Sequence, residues 1–187
     1  MKPLQLHKPH LLVVVGLPGA GKTYFASQFS DTFNAPYIDY DFYAKRIGNE
    51  KTAEELATHT LMQLIRTKQS IIIEGVGTAR DDRREIVRVA NKYGYDVLYI
   101  WVQTEPQTAE QRVVRSKTAT MTKDEYDERV KKFELLMRNE SHVVISGRHT
   151  YASQAKTVLK RLAADRPAPA SVPIPVRPAR TRGRLVR

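Results

Sequence analysis

Leu11-Leu-Val-Val-Val-Gly16-Leu17-Pro18-Gly19-Ala20-Gly21-Lys22-Thr23-Tyr-Phe-Ala-Ser-Gln-Phe29 is the stretch from which the rest of the chain is read. Its first five residues are apolar without alternation, three of them β-branched, which marks a strand buried on both faces. Residues 16–23 then satisfy G-x-x-x-x-G-K-[ST], directly after that strand and before a helical stretch from Thr23 to Phe29. Glycines serve here because the backbone must curl closely around phosphate oxygens and turn its N–H groups inward, while the following helix presents its positive end. Gly16, Leu17, Pro18, Gly19, Ala20, Gly21, Lys22 and Thr23 are therefore the expected ATP-binding loop. Lys22 is expected to reach the β- and γ-phosphates as a catalytic charge, and the Thr23 hydroxyl to be a ligand of Mg2+.

Working outward, short β-branched runs recur at Ile71–Ile73, Val97–Val102 and Val143–Ile145, separated by helical patterns, with Tyr37-Ile38 a shorter candidate. This rhythm predicts an α/β fold of the P-loop NTPase type, in which a parallel sheet of about five strands lies between two helical layers. Thr52 with Glu55, and Thr122 with Glu125, fit reciprocal capping boxes. Tyr126, Val130, Phe133 and Met137 fall at helical spacing, as do Tyr151, Ala155, Val158, Leu159 and Leu162, so both sets are expected in the core. A further helix is expected from about Arg80 to Tyr93, closed by Gly94.

The 187 residues suit one domain and a tail. We divide them into a domain over 1–164 and a Pro/Arg-rich tail over 165–187, where five of the ten prolines lie and six arginines face one aspartate. The net charge of +11 is shared between the two parts and points to anionic partners outside the chain. The tail is read as disordered: a nucleic-acid contact through its arginines, or a solubilising end. The absence of cysteine excludes disulfides and thiolate metal sites and fits a cytoplasmic address. No apolar run approaches the roughly 20 residues of a membrane span, so no membrane partner is expected. The five histidines show no metal-ligand spacing.

Phosphoryl transfer to a hydroxyl needs a carboxylate near the acceptor. Asp39 and Asp41, just beyond the second candidate strand, are placed to supply it. Asp41 is the candidate base, with an N-cap role as the alternative; Asp39 is a candidate substrate contact or simply a satisfied strand end. Glu74 ends the apolar run Ile71–Ile73, where a carboxylate beside Mg2+ is common, and is a candidate metal residue, substrate contact or cap. Thr78 and Arg80 follow at the carboxyl end of that strand as candidate substrate contacts.

Taken together, Gly16–Thr23, the Asp41 segment, Ile71–Gly75 with Thr78 and Arg83-Arg84-Glu85, Lys92-Tyr-Gly94-Tyr, and Glu110-Gln-Arg112-Val-Val-Arg115 resemble the P-loop kinases that include polynucleotide 5′-hydroxyl kinases and zeta-toxin kinases. The likeness runs over roughly residues 11 to 160. It implies a five-stranded parallel sheet, Asp41 as the base that activates an acceptor hydroxyl, and Arg112 with Arg115 as catalytic lid residues over ATP. Three-residue spacing lets these two arginines share a helical face; the alternative is a solvated helix with arginines pairing to Glu105 or Glu110. The chain departs from the polynucleotide kinases at Phe42, where those enzymes often carry a second acid. Phe42 and Tyr43 either stack on a base or sugar or pack in the core. Two functional readings follow. One is an ATP-dependent kinase acting on a hydroxyl acceptor: a nucleic-acid 5′-hydroxyl, a nucleotide sugar or another small metabolite. The other is an ATP-driven switch that contacts nucleic acid through its tail.

Overall fold

The computed structural model describes residues 6–117 and 119–164 of the chain. The elements run β1 (His10–Val15), α1 (Lys22–Phe33), β2 (Tyr37–Asp39), α2 (Tyr40–Ile47), α3 (Glu50–Ile65), β3 (Ile71–Glu74), α4 (Arg80–Lys92), β4 (Asp96–Gln103), α5 (Pro106–Val113), α6 (Lys123–Lys132), β5 (His142–Ser146) and α7 (Tyr151–Ala164). All five strands are parallel, in the order β2-β3-β1-β4-β5. The tail over 165–187 lies outside the described residues. Among those described, no helix is long and apolar enough to cross a membrane.

The alternating pleat of β1 sorts its residues between two cores. Leu12 and Val14 face α1 and α7, packing with Phe25, Phe29, Val158 and Leu162. Leu11, Val13 and Val15 face the opposite layer with Leu61 and Ile65 of α3, Tyr99 of β4 and Ala90 of α4. Each buried aliphatic side chain contributes roughly 1.5–3 kcal/mol, so β1 is held at the centre from both sides. The chain leaves β1 for β2 on one flank and crosses to β4 on the other. Open α/β sheets bind ligands at that reversal, beyond the carboxyl ends of the strands.

Local signals fared unevenly. The Thr122 and Glu125 capping box forms and starts α6. At α3 the cap is instead Asn49, whose side chain accepts from the Thr52 N–H, so the helix begins one turn before the expected Thr52. The stripe from Tyr126 to Met137 is also cut short: α6 ends at Lys132, and Met137 lies beyond it, 44% exposed. The cause is a competing structure for the segment after α6. Glu134 donates its N–H to the Thr78 carbonyl, and the Met137 N–H bonds the Glu140 carboxylate, pulling the chain out of helical register.

Arg83 organises this region. It is fully buried and donates to the carbonyls of Gly77, Thr78, Glu134 and Leu135 as well as to both oxygens of Glu140. A buried guanidinium is tolerated because its fork of donors is satisfied on all sides. Burial pushes the Glu140 carboxyl up, but the bonds from Arg83 and the Met137 N–H outweigh this and hold it below the usual 4.5. A depressed carboxyl contributes stability that is complete above about 4.5 and is lost as pH falls through the lower folded value. Arg83→Ala should therefore cost about 3–5 kcal/mol in urea unfolding at neutral pH. Glu140→Gln should be less stable than wild type at neutral pH, and the gap should narrow in unfolding curves taken below pH 4.5.

Candidate functional site

The loop after β1 is built to receive an anion. Gly21 adopts the left-handed conformation at the start of α1, with no side-chain cap and no acid in the first helical turn. By contrast α2, α3, α4 and α6 each carry an acidic residue there. The N–H groups opening α1 are thus left for a ligand. Gly19 has φ +79°, and a Cβ there would lie 2.2 Å from the Ala109 carbonyl oxygen, so the loop fits against α5 only as glycine.

Lys22 Nζ bends back to the Leu17 carbonyl at 3.2 Å, and Arg112 Nη1 reaches the Gly19 carbonyl at 3.1 Å. Both cations therefore rest on the phosphate loop itself. Although Lys22 as a residue is only part-buried, its ammonium is withdrawn from solvent; burial pushes its pKa down against the pull of Glu74, Asp41 and Asp39.

Three carboxylates gather beside it. Asp39 and Glu74 are register partners on β2 and β3. The Thr23 hydroxyl donates to Glu74 Oε1 at 2.6 Å. Glu74 is buried, and its Oε2 has no hydrogen-bond partner among the described residues, although the buried Tyr37 hydroxyl lies near it. Burial pushes the Glu74 carboxyl up, the Thr23 bond opposes this, and the charge of Asp39 adds to the rise. Asp39 is raised by burial too, against the Phe42 N–H bond. A buried carboxylate with an unsatisfied oxygen, bonded to the phosphate-loop hydroxyl and crowded by a second acid, fits a hard divalent cation.

Asp39, not Asp41, caps α2, accepting from Phe42 N–H at 3.1 Å. Asp41 stands in the first turn with its carboxylate 3.4 Å from Arg129 Nη1, and lines a cleft of about 750 Å3 between α2, α3 and the loop after β3. Thr78 lines the same cleft. Phe42 is exposed, over which Arg46 stacks at 5.2 Å, while Tyr43 packs on the core.

Two expected residues lie elsewhere. Arg115 falls past the end of α5, so the shared helical face is lost; it pairs with Glu110 at 2.8 Å, beside Lys123. Arg80 lines a separate cleft of about 710 Å3 with His10, Arg84 and Glu140. Conversely, Arg129 joins the site without a sequence motif; its only signal is its place one turn after Tyr126, the buried anchor of α6. Gly147 was also silent. A Cβ there would meet the Ala20 carbonyl oxygen at 2.0 Å and Thr104 Oγ1 at 2.2 Å, so the loop after β5 seats against the phosphate loop only as glycine.

A five-stranded parallel sheet with this loop at the carboxyl end of its central strand defines the P-loop NTPase fold of the kinase type. Residues 11–136 match an AAA domain family, AAA_33, and the chain belongs to it. A search of curated proteins gives no match. Among solved structures, the chain is similar to a sugar kinase from Janibacter sp. HTCC2649, at 17% identity and TM-score 0.64, covering 83% of this chain and 95% of that one. It is similar to the APS kinase CysC of Mycobacterium tuberculosis in complex with AMPPNP and APS, at 15% identity and TM-score 0.61, covering 83% and 98%. A third likeness, at 18% identity and TM-score 0.58, is to the Pnkp1/Rnl/Hen1 RNA repair complex, covering 68% and 45%. These likenesses share the fold.

Gly147→Ala should displace the phosphate loop, costing about 1–3 kcal/mol of stability. It should also reduce the rise in melting temperature produced by a non-hydrolysable ATP analogue, read by thermal shift at fixed analogue concentration.

Proposed function

We propose that the chain is a Mg·ATP-dependent phosphotransferase that moves the γ-phosphoryl group to the hydroxyl of an acceptor seated in the Asp41 cleft. One observation supports this most: the phosphate loop adjoins a second, separate cleft, since Thr23 bonds Glu74 and the next residue, Gly75, lines that cleft against the Asp41 backbone. A nucleotide switch needs the first of these and has no use for a carboxylate lining the second.

In this reading the acceptor O–H gives its proton to the Asp41 carboxylate as its oxygen bonds to the γ-phosphorus. The bond from that phosphorus to the β–γ bridging oxygen breaks, and the electron pair leaves with ADP. Lys22 and Arg112, already at the loop, stabilise charge on the transferring oxygens. Arg129 orients the Asp41 carboxylate through their contact. Thr23 and Glu74 are the residues that would hold Mg2+, which when bound neutralises phosphate charge. Arg83 keeps the Thr78 edge of the cleft in place from below. The APS kinase of similar fold was seen with AMPPNP, which agrees with ATP as donor. The acceptor is not set by the fold, since the similar structures include a sugar kinase, an APS kinase and an RNA repair complex.

The test incubates the protein and γ-labelled ATP with 5′-hydroxyl oligonucleotides, nucleotide sugars, nucleosides, sugars and amino sugars, and resolves the labelled product. Wild type should label an acceptor. Asp41→Asn should lower that rate roughly 10²- to 10⁴-fold while ATP still binds. Removing 165–187 should leave transfer to a small acceptor intact. Label found only as free phosphate, with nucleic-acid binding lost on removing 165–187, would favour the switch.

A further inference from the structure

The acceptor cleft carries a charge opposite to that of the chain. The protein as a whole is +11. Yet the charged residues lining the cleft are Asp41, Glu50, Glu54, Asp81, Asp82 and Glu85 against Arg129 alone. The cleft is read as the acceptor subsite because Gly75 and Asp41, which line it, adjoin the bond between Thr23 and Glu74; its acidity bears on what charge it admits.

Some of these carboxylates are partnered. Asp41 meets Arg129, Asp81 meets Arg84 at 3.0 Å, Glu85 meets Arg88 at 2.6 Å, and Asp82 accepts from the Ala79 N–H. Glu50 and Glu54 are different. They stand one turn apart on α3, both exposed, and make no ion pair among the described residues. They line the cleft together with Asp81 and Asp82 of α4. The same lining has an apolar part, with Leu61 and Met62 of α3 and Ile73 of β3.

Resting on the phosphotransferase reading, we infer that the acceptor is a small hydroxyl compound that carries a protonated amine and an apolar face, and not a phosphorylated or carboxylated one. A polyanion entering here meets Glu50 and Glu54, which no arginine offsets among the described residues, beside the partnered acids of α4, whereas an ammonium group finds two unpaired carboxylates. The apolar part of the lining suits the hydrocarbon face of a ring, and the volume suits a compound of sugar size. Transfer then proceeds as above: the acceptor hydroxyl loses its proton to Asp41, its oxygen bonds the γ-phosphorus, and ADP departs. The amine stays protonated throughout and serves in binding only.

The experiment measures kcat/KM with the full chain, Mg·ATP and matched sets of acceptors that differ only in charge: amino sugars, their neutral parents and the corresponding uronic acids, with 5′-hydroxyl oligonucleotides alongside. Amino sugars should exceed neutral parents by about tenfold, and the uronic acids should fall below both. The preference should shrink between low salt and 1 M salt as the ions screen these charges. In the double variant Glu50→Gln, Glu54→Gln the ratio of amine to neutral acceptor should drop by about threefold or more, through KM. A uronic acid or an oligonucleotide as the best acceptor overturns the inference and leaves the phosphotransferase reading standing. An amine preference that does not move in the double variant overturns the role given to Glu50 and Glu54. If nothing in the whole panel is labelled while ATP binds, the phosphotransferase reading falls and this inference with it.

Discussion

Everything in this fold depends on β1 being covered on both faces. A strand in that position has to be apolar at each residue, and has to lie between other strands, because an edge place would leave one of its sides open. Leu11 to Val15 meet that requirement, with none more than 2% exposed. The consequence is positional: whatever follows β1 is delivered to the reversal point of the sheet, with β3 on one side and β4 on the other. The phosphate loop is brought there by β1 and then seated against α5 at Gly19 and against the loop after β5 at Gly147. Its backbone donors are then free for a ligand because α1 opens on an uncapped glycine with no acid nearby.

What the sequence made legible was what is local or periodic. Strands buried on both faces, β1 and β3, show as unbroken apolar runs, and all five strands were read within a residue or two. The phosphate loop is eight contiguous residues. The lone Glu74 could be read as a strand end, and the structure bonds it to Thr23. What stayed hidden depends on contacts between distant segments. Asn49 outcompeted Thr52 as a cap by a choice between two adequate signals. Met137 has the spacing of a core residue but lies in a segment that Arg83 and Glu140 draw out of the helix. Arg83 was noted only within Arg83-Arg84-Glu85 as part of the family likeness, and nothing short of the tertiary fold shows that five carbonyl and carboxylate groups converge on it.

The site also separates its charges in a way that composition conceals. Positive groups, Lys22 and Arg112, sit on the carbonyls of the phosphate loop. Negative groups, Asp39, Asp41 and Glu74, sit a short distance away at the ends of β2 and β3. Arg129 arrives from α6 and touches the negative side. Burial, with the charge of a neighbouring carboxylate added to it, raises the pKa of Asp39 and Glu74, and the arrangement is costly unless cations arrive with the ligand. Such uncompensated crowding is tolerable at a place whose function is to bind a charged complex, and would be difficult to explain in a region that only has to be stable.

The two halves of the proposed site are encoded differently, and this explains why the first could be named whole from sequence and only Asp41 and Thr78 of the second. The donor half is a loop and the first turn of a helix, so its chemistry is written in consecutive residues. The proposed acceptor half draws on α2, α3, the loop after β3, the start of α4 and one arginine of α6. No spacing rule links Glu54 to Asp82 or Asp41 to Arg129, because their separation depends on how α3, α4 and α6 pack. Each of these groups is also exposed or half-exposed, so changing it alters recognition with little effect on the core. A fold of this kind can hold its phosphate chemistry constant while the cleft lining varies, since the residues that carry the sheet and the residues proposed to choose the acceptor are different sets.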